Sequence, residues 1–106
     1  MARKQIELSF YDKKYLIEYN RASIKTFLRF KDKETDEIEQ VIMLIKCGLE
    51  MHHKDEMPED DIIFGWVLAL GDDIKEFAKA LQEMVQDVLD TFKSDRKNLK
   101  WGKIEA

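Results

Sequence analysis

"KQIELSFYDKKYLIEYN", residues 4–20, decides the fold because it alternates twice between apolar and polar side chains. The apolar side chains would share one face of each strand: Ile6, Leu8 and Phe10, then Tyr15, Ile17 and Tyr19. A period of two is typical of β-strands, and the short polar link predicts an antiparallel hairpin over residues 4–19. An isolated hairpin is marginal in water, so its apolar face must pack on the rest of the chain.

The rest of the chain carries helical spacing instead. Apolar residues that recur by threes and fours predict helices over residues 21–31, 35–52, 58–70 and 72–93. Asn20 and Thr35 are predicted N-caps of the first two helices. Pro58 falls where a helix accepts proline, in its first turn, and Gly71 separates the third helix from the last. The second helix is apolar on several sides and should therefore be central.

The sequence thus predicts an α+β fold, an N-terminal β-hairpin followed by a four-helix, mainly α-helical body, in one domain over residues 1–93. Of the 106 residues, 44% are hydrophobic and 38% charged, which allows a core under a strongly charged surface. Residues 94–106 lack a period and carry mainly positive charge. They are predicted to be a flexible basic tail.

Composition excludes several classes of protein. The net charge of −4 argues against nucleic acid as a partner. Cys47 is the only cysteine, so neither an intramolecular disulfide nor a thiolate zinc site can form. The longest mainly apolar run, residues 62–71, is too short to span a bilayer, and no signal peptide precedes the hairpin. A cytoplasmic protein without a membrane partner is expected.

"MHHKDEMPEDDI", residues 51–62, is the one stretch that suggests a metal or acid–base site. Adjacent helical residues point about 100° apart, so His52 and His53 do not share the spacing of paired helical metal ligands. We interpret the histidines as the end of one helix and the acids as the start of the next, where each suits the helix dipole. No nucleophile motif or glycine-rich phosphate loop is present. We therefore expect neither an enzyme nor a cofactor nor a bound metal.

Three stretches resemble the tail assembly chaperones of long-tailed phages and prophages of Gram-positive bacteria. They are "IELSFYDKKYLIEYNRASIKTF", "IKCGLEMHHKDEMPEDDI" and "LGDDIKEFAKALQEMVQDVLDTF" with the following "NLKWGKIEA". The resemblance covers nearly the whole chain and contains no catalytic signature. It implies a protein of the host cytoplasm, absent from the mature virion, that keeps the tape measure protein soluble while tail tube subunits assemble around it.

The resemblance also implies further partners, the tail tube protein and a longer, frameshifted form of the chain itself. A homo-oligomer is expected because the third helix is very apolar for a monomer's surface. Phe64, Val67 and Trp101 are the candidate partner-binding residues, although Trp101 could instead fold back onto the body. Two alternatives stay open: a small cytoplasmic regulator that acts by protein–protein contact, such as a toxin-neutralising protein, and a metal-dependent enzyme built on the histidine pair.

Overall fold

The computed structural model describes residues 4–31, 33, 36–93 and 99–104. It is mostly helical with an N-terminal two-stranded antiparallel hairpin, as the sequence predicts. The elements are β1 (Ile6–Phe10), β2 (Lys13–Ile17), α1 (Arg21–Lys31), α2 (Glu37–His53), α3 (Asp60–Leu70) and α4 (Ile74–Lys93). Two 3₁₀ turns, Lys54–Glu56 and Gly71–Asp73, join α2 to α3 and α3 to α4.

The hairpin has the register that its alternation requires. Ile6 pairs with Ile17 and Leu8 with Tyr15, so the predicted apolar faces of both strands lie on one side of the sheet. Only two residues connect the strands, and the first of them, Tyr11, has a φ of +54°. Two-residue hairpin turns need positive φ, which side chains other than Gly, Asn and Asp rarely adopt.

Local hydrogen bonds set the helix starts. Asn20 caps α1 as predicted: its Oδ1 accepts from the Ser23 backbone N–H at 2.9 Å, and its own N–H donates to Ser23 Oγ at 2.8 Å. This reciprocal pair is a capping box with serine in the usual glutamate position. The predicted cap of α2, Thr35, lies outside the described residues. Asp36 takes the N-cap position, with Oδ1 accepting from the Ile38 N–H at 2.8 Å.

The other predicted helix bounds shift by one or two residues. α2 extends to His53 rather than residue 52. α3 begins at Asp60 instead of residue 58 because Glu59 is still extended, with a ψ of 155°. α4 begins at Ile74 instead of residue 72 because the chain first makes a 3₁₀ turn after Gly71. Gly71 ends α3 as predicted, with a φ of +56° that suits glycine.

α2 is central, as predicted, and packs against β2, α1 and α3. Its buried residues point in several directions around its axis: Ile42, Leu44, Ile45, Cys47, Gly48 and Leu49. Gly48 lets α2 approach the hairpin closely, because a Cβ there would lie 2.4 Å from Ile17 Cγ2. The hairpin therefore finds its required apolar partner on α2.

α4 lies at the edge of the body and buries a narrow stripe. Leu81, Met84 and Val85 are buried. An ion pair of 2.6 Å between Lys4 Nζ and Asp87 Oδ2 connects the hairpin's start to this helix. Among the described residues, no helix has the length and apolar content needed to cross a membrane.

Candidate functional site

The two histidines hold the hairpin against α2. His52 Nε2 lies 2.9 Å from Glu18 Oε1, and the Gln5 side-chain amide donates to the same oxygen at 2.7 Å. A histidine ring N–H can donate to a carboxylate oxygen, and this distance is that of a hydrogen bond. Glu18 is only 3% exposed, although strand alternation predicts it on the polar face. Two elements distant in sequence thus share one buried carboxylate.

His53 makes a second contact with the same strand. The Leu16 backbone N–H donates to His53 Nε2 at 2.9 Å, which requires neutral imidazole with its hydrogen on Nδ1. Burial, together with the positive charges of His52 and Lys13, lowers the pKa of His53 from its usual 6.5. We call the contact of residues 15–19 with residues 44–53 the hairpin–α2 interface. The interpretation of the histidines as dipole partners at a helix end was incomplete, because both of their Nε2 atoms bond to the hairpin.

Two further bonds complete the hairpin–α2 interface. The Glu18 N–H donates to the Gly48 carbonyl at 2.9 Å, and the Tyr19 hydroxyl donates to the Leu44 carbonyl at 2.7 Å. Burial raises the pKa of the Tyr19 phenol and raises that of the neighbouring Cys47 thiol to about 11. Cys47 is therefore a thiol packed in the core, not a nucleophile. Among the described residues, no three His, Cys, Asp or Glu side chains are grouped to hold a metal ion.

A separate feature has the properties of a binding site. An apolar groove of about 410 Å³ opens where the hairpin, α2, α3 and the start of α4 meet. Its lining residues are Leu8, Ser9, Phe10, Ile45, Asp61, Ile62, Gly65, Trp66, Ala69, Leu70 and Phe77. A Cβ on Gly65 would meet nothing within 4 Å, so the space beside α3 at this position is open. The volume is within the range of small-ligand and side-chain binding sites.

Trp66 forms one wall of this groove. Its ring packs against Phe10 and Tyr15, with centroids 5.5 Å and 5.1 Å away. The side chain is 9% exposed, and its indole N–H has no hydrogen-bond partner among the described residues. A buried donor without a partner costs about 1–3 kcal/mol, so nearly all such groups in proteins are satisfied. The indole nitrogen itself is buried, so Trp66 contributes its ring rather than its N–H to the groove.

Negative charge lies at both ends of the groove's α3 wall. Asp61 lines the groove at the start of α3, whereas Asp72 and Asp73 follow Gly71 beyond the helix's other end and are not lining residues. All three carboxylates are exposed, and none makes an ion pair with a described residue. Asp60, by contrast, pairs with Lys46 at 2.8 Å. The groove therefore has an apolar lining with one carboxylate, and two more carboxylates follow the end of α3; we call these three residues the acidic rim.

The predicted partner-binding residues do not come together. Phe64 is 40% exposed but does not line the groove. Val67, a candidate partner-binding residue, is only 5% exposed and packs in the core, so it is not a surface residue of this chain. Trp101 is 86% exposed and does not fold back to cover the body. Sequence reasoning missed Gly65, although an isolated glycine inside an apolar helix is itself a signal of an unusual surface.

Comparison with known proteins adds no identity: no family model, curated protein or solved structure matches this chain. The groove and the acidic rim are therefore the structural features of this chain that bear on its function.

Proposed function

We propose that this chain is a phage tail assembly chaperone that binds apolar helical segments of the tape measure protein. The observation that carries this proposal is the apolar groove between the hairpin, α2, α3 and α4. The resemblance of three stretches of sequence to that class of chaperone supplies the identity of the partner. No catalytic or metal chemistry is assigned to the chain.

The groove suits one face of an amphipathic helix. Such helices bind through apolar anchors at every third or fourth residue, and the anchors enter an apolar cleft while the polar face stays in water. Trp66 and Phe10 offer large flat surfaces to these anchors, and Gly65 leaves space for one to approach closely. Just beyond the groove, Leu68 is 60% exposed and extends the apolar surface along α3.

The charge of the chain supports a role in solubility. A long helical protein with bare apolar stripes aggregates, and a bound acidic protein would cover those stripes and add negative charge. The expected site of action is the host cytoplasm, before the tail tube closes around the tape measure protein. The tail tube protein and a longer form of this chain are further proposed partners, and the chain would be absent from the mature virion.

Co-expression tests the proposal directly. We expect the gene to lie beside a gene for a very long tape measure protein, and co-expression of the two should raise the soluble fraction of the latter and allow co-purification. Gly65→Leu should abolish the effect because leucine fills the groove, whereas Lys79→Ala, at an exposed position of α4 outside the groove, should retain it. The proposal fails if the tape measure protein remains insoluble with wild-type chain, or if Gly65→Leu works as well as wild type.

A further inference from the structure

Residues 99–104 carry apolar side chains that are largely exposed among the described residues. Leu99 is 80% exposed, Trp101 86% and Ile104 98%. We call residues 99–104 the tail segment. Two lysines, Lys100 and Lys103, alternate with these apolar residues. Exposed tryptophan of this kind is enriched at binding hot spots, where the ring fills a cavity on the partner.

The groove complements the tail segment in apolar character and in charge. Its floor is apolar and walled by Trp66 and Phe10, which suits the rings and aliphatic side chains of the segment. Asp61 lines the groove, and Asp72 and Asp73 follow just after the end of α3. None of the three makes an ion pair with a described residue, which suits the two lysines. Charge complementarity of this kind fixes the orientation of a bound segment and excludes acidic ones.

The tail segment cannot easily reach the groove of its own chain. Phe77 lines the groove, and α4 then continues to Lys93, about 24 Å further along the axis at ~1.5 Å per residue. The return path to Trp101 contains only eight residues, which span at most about 29 Å when fully extended. The chain would have to run back almost fully extended along α4, so docking within one copy leaves the tail segment little freedom to fit the groove.

We propose that the tail segment of one copy docks in the groove of a second copy. In a symmetric pair each copy gives its tail segment and receives the other's, so one association event forms two contacts. Trp101 would enter the apolar floor beside Trp66, and Lys100 and Lys103 would face the acidic rim. The proposal uses the groove assigned above to a partner helix, but it does not depend on the tape measure protein being that partner.

Sedimentation of the full chain tests this proposal with two variants that each break one half of the contact. Trp101→Ala removes the anchor and leaves the groove intact, whereas Gly65→Leu fills the groove and leaves the tail intact. Wild type should form a concentration-dependent dimer, and each variant alone should raise the dissociation constant by roughly tenfold or more. An equimolar mixture of the two variants should regain association, because one intact tail then meets one intact groove. Lys79→Ala, at an exposed position of α4 that does not line the groove, is the control and should dimerise like wild type, and far-UV circular dichroism checks that Gly65→Leu is folded.

Three results would overturn the proposal. The first is wild type that stays monomeric at every concentration. The second is a dimer that Trp101→Ala leaves unchanged. The third is a mixture of the two variants that associates no better than either alone, which indicates docking within one chain or at another surface. A variant that no longer dimerises but still binds the tape measure protein would contradict the dimer proposal only. A variant that still dimerises but no longer binds the tape measure protein would contradict the proposed function only.

Discussion

Alanine at two glycine positions should change the stability of the chain in opposite directions. Gly48 and Gly65 both lie inside α-helices, where glycine costs about 0.8–1.0 kcal/mol relative to alanine. A Cβ at residue 65 meets nothing within 4 Å, so Gly65→Ala should gain most of that difference, about 1 kcal/mol.

At residue 48 the same change meets the hairpin. The added Cβ would lie 2.4 Å from Ile17 Cγ2 and 3.0 Å from Tyr19 Cζ, which is closer than carbon atoms approach without repulsion. Ile17 is fully buried and Tyr19 is fixed by its bond to the Leu44 carbonyl, so neither can move away freely. Overpacking costs about 1–3 kcal/mol and a lost hydrogen bond about 1 kcal/mol more. After the helix gain is subtracted, Gly48→Ala should destabilise by about 1–3 kcal/mol.

Urea titration and thermal unfolding followed by far-UV circular dichroism measure both changes. A change of ~1 kcal/mol shifts the melting temperature of a domain near this size by about 4–8 °C. Gly65→Ala should therefore melt several degrees above wild type and Gly48→Ala at least as far below it, with unchanged denaturant slopes. Wild-type stability for Gly48→Ala would refute the reasoning, because the helix and strand could not then be in contact at this glycine. A less stable Gly65→Ala would refute the open groove.

Three further predictions concern single residues. Because the pKa of His53 is lower in the folded protein, the unfolded chain binds more protons, and wild type should lose stability as the pH falls from about 6.5 through the folded-state pKa. His53→Gln should lose less stability over the same range, as measured by urea titrations from neutral to acidic pH. Parallel plots of unfolding free energy against pH for the two proteins would contradict the Leu16–His53 bond. Cys47, with a pKa of about 11, should react with a thiol reagent only after unfolding, and fast labelling of folded protein would contradict its burial. Tyr11→Gly should raise the free energy of unfolding by up to about 1 kcal/mol because glycine adopts a positive φ without strain, whereas Tyr11→Val should lower it; a stable valine variant would contradict the turn.

Local signals in the sequence were sufficient for the hairpin and the helix ends. Alternation identified both strands and the face that Ile17 and Tyr15 share, because a period of two depends only on neighbouring residues. Asn20 was predicted as a cap for the same reason, since its partner Ser23 is three residues away. The end of α3 at Gly71 likewise depends on one residue's freedom to adopt a positive φ.

The groove and the hairpin–α2 interface could not be predicted in this way. Glu18 and His52 are 34 residues apart, and no local pattern shows that they meet. The third helix is apolar around most of its circumference, so its spacing does not distinguish the buried Val67 from the exposed Leu68. The groove itself is formed by four elements, and its existence depends on how they pack rather than on any one motif.

The hairpin–α2 interface also has a consequence for synthesis on the ribosome. β2 ends at Ile17. His53, which accepts the hydrogen bond from the Leu16 N–H of β2, is translated 36 residues after Ile17. At about 5–20 residues per second, β2 therefore leaves the ribosome roughly 2–7 s before the end of its partner helix does. A two-stranded ribbon is marginal in water during that time, and its apolar face is open to other chains. The nascent chain is therefore most exposed to misassociation until α2 is complete.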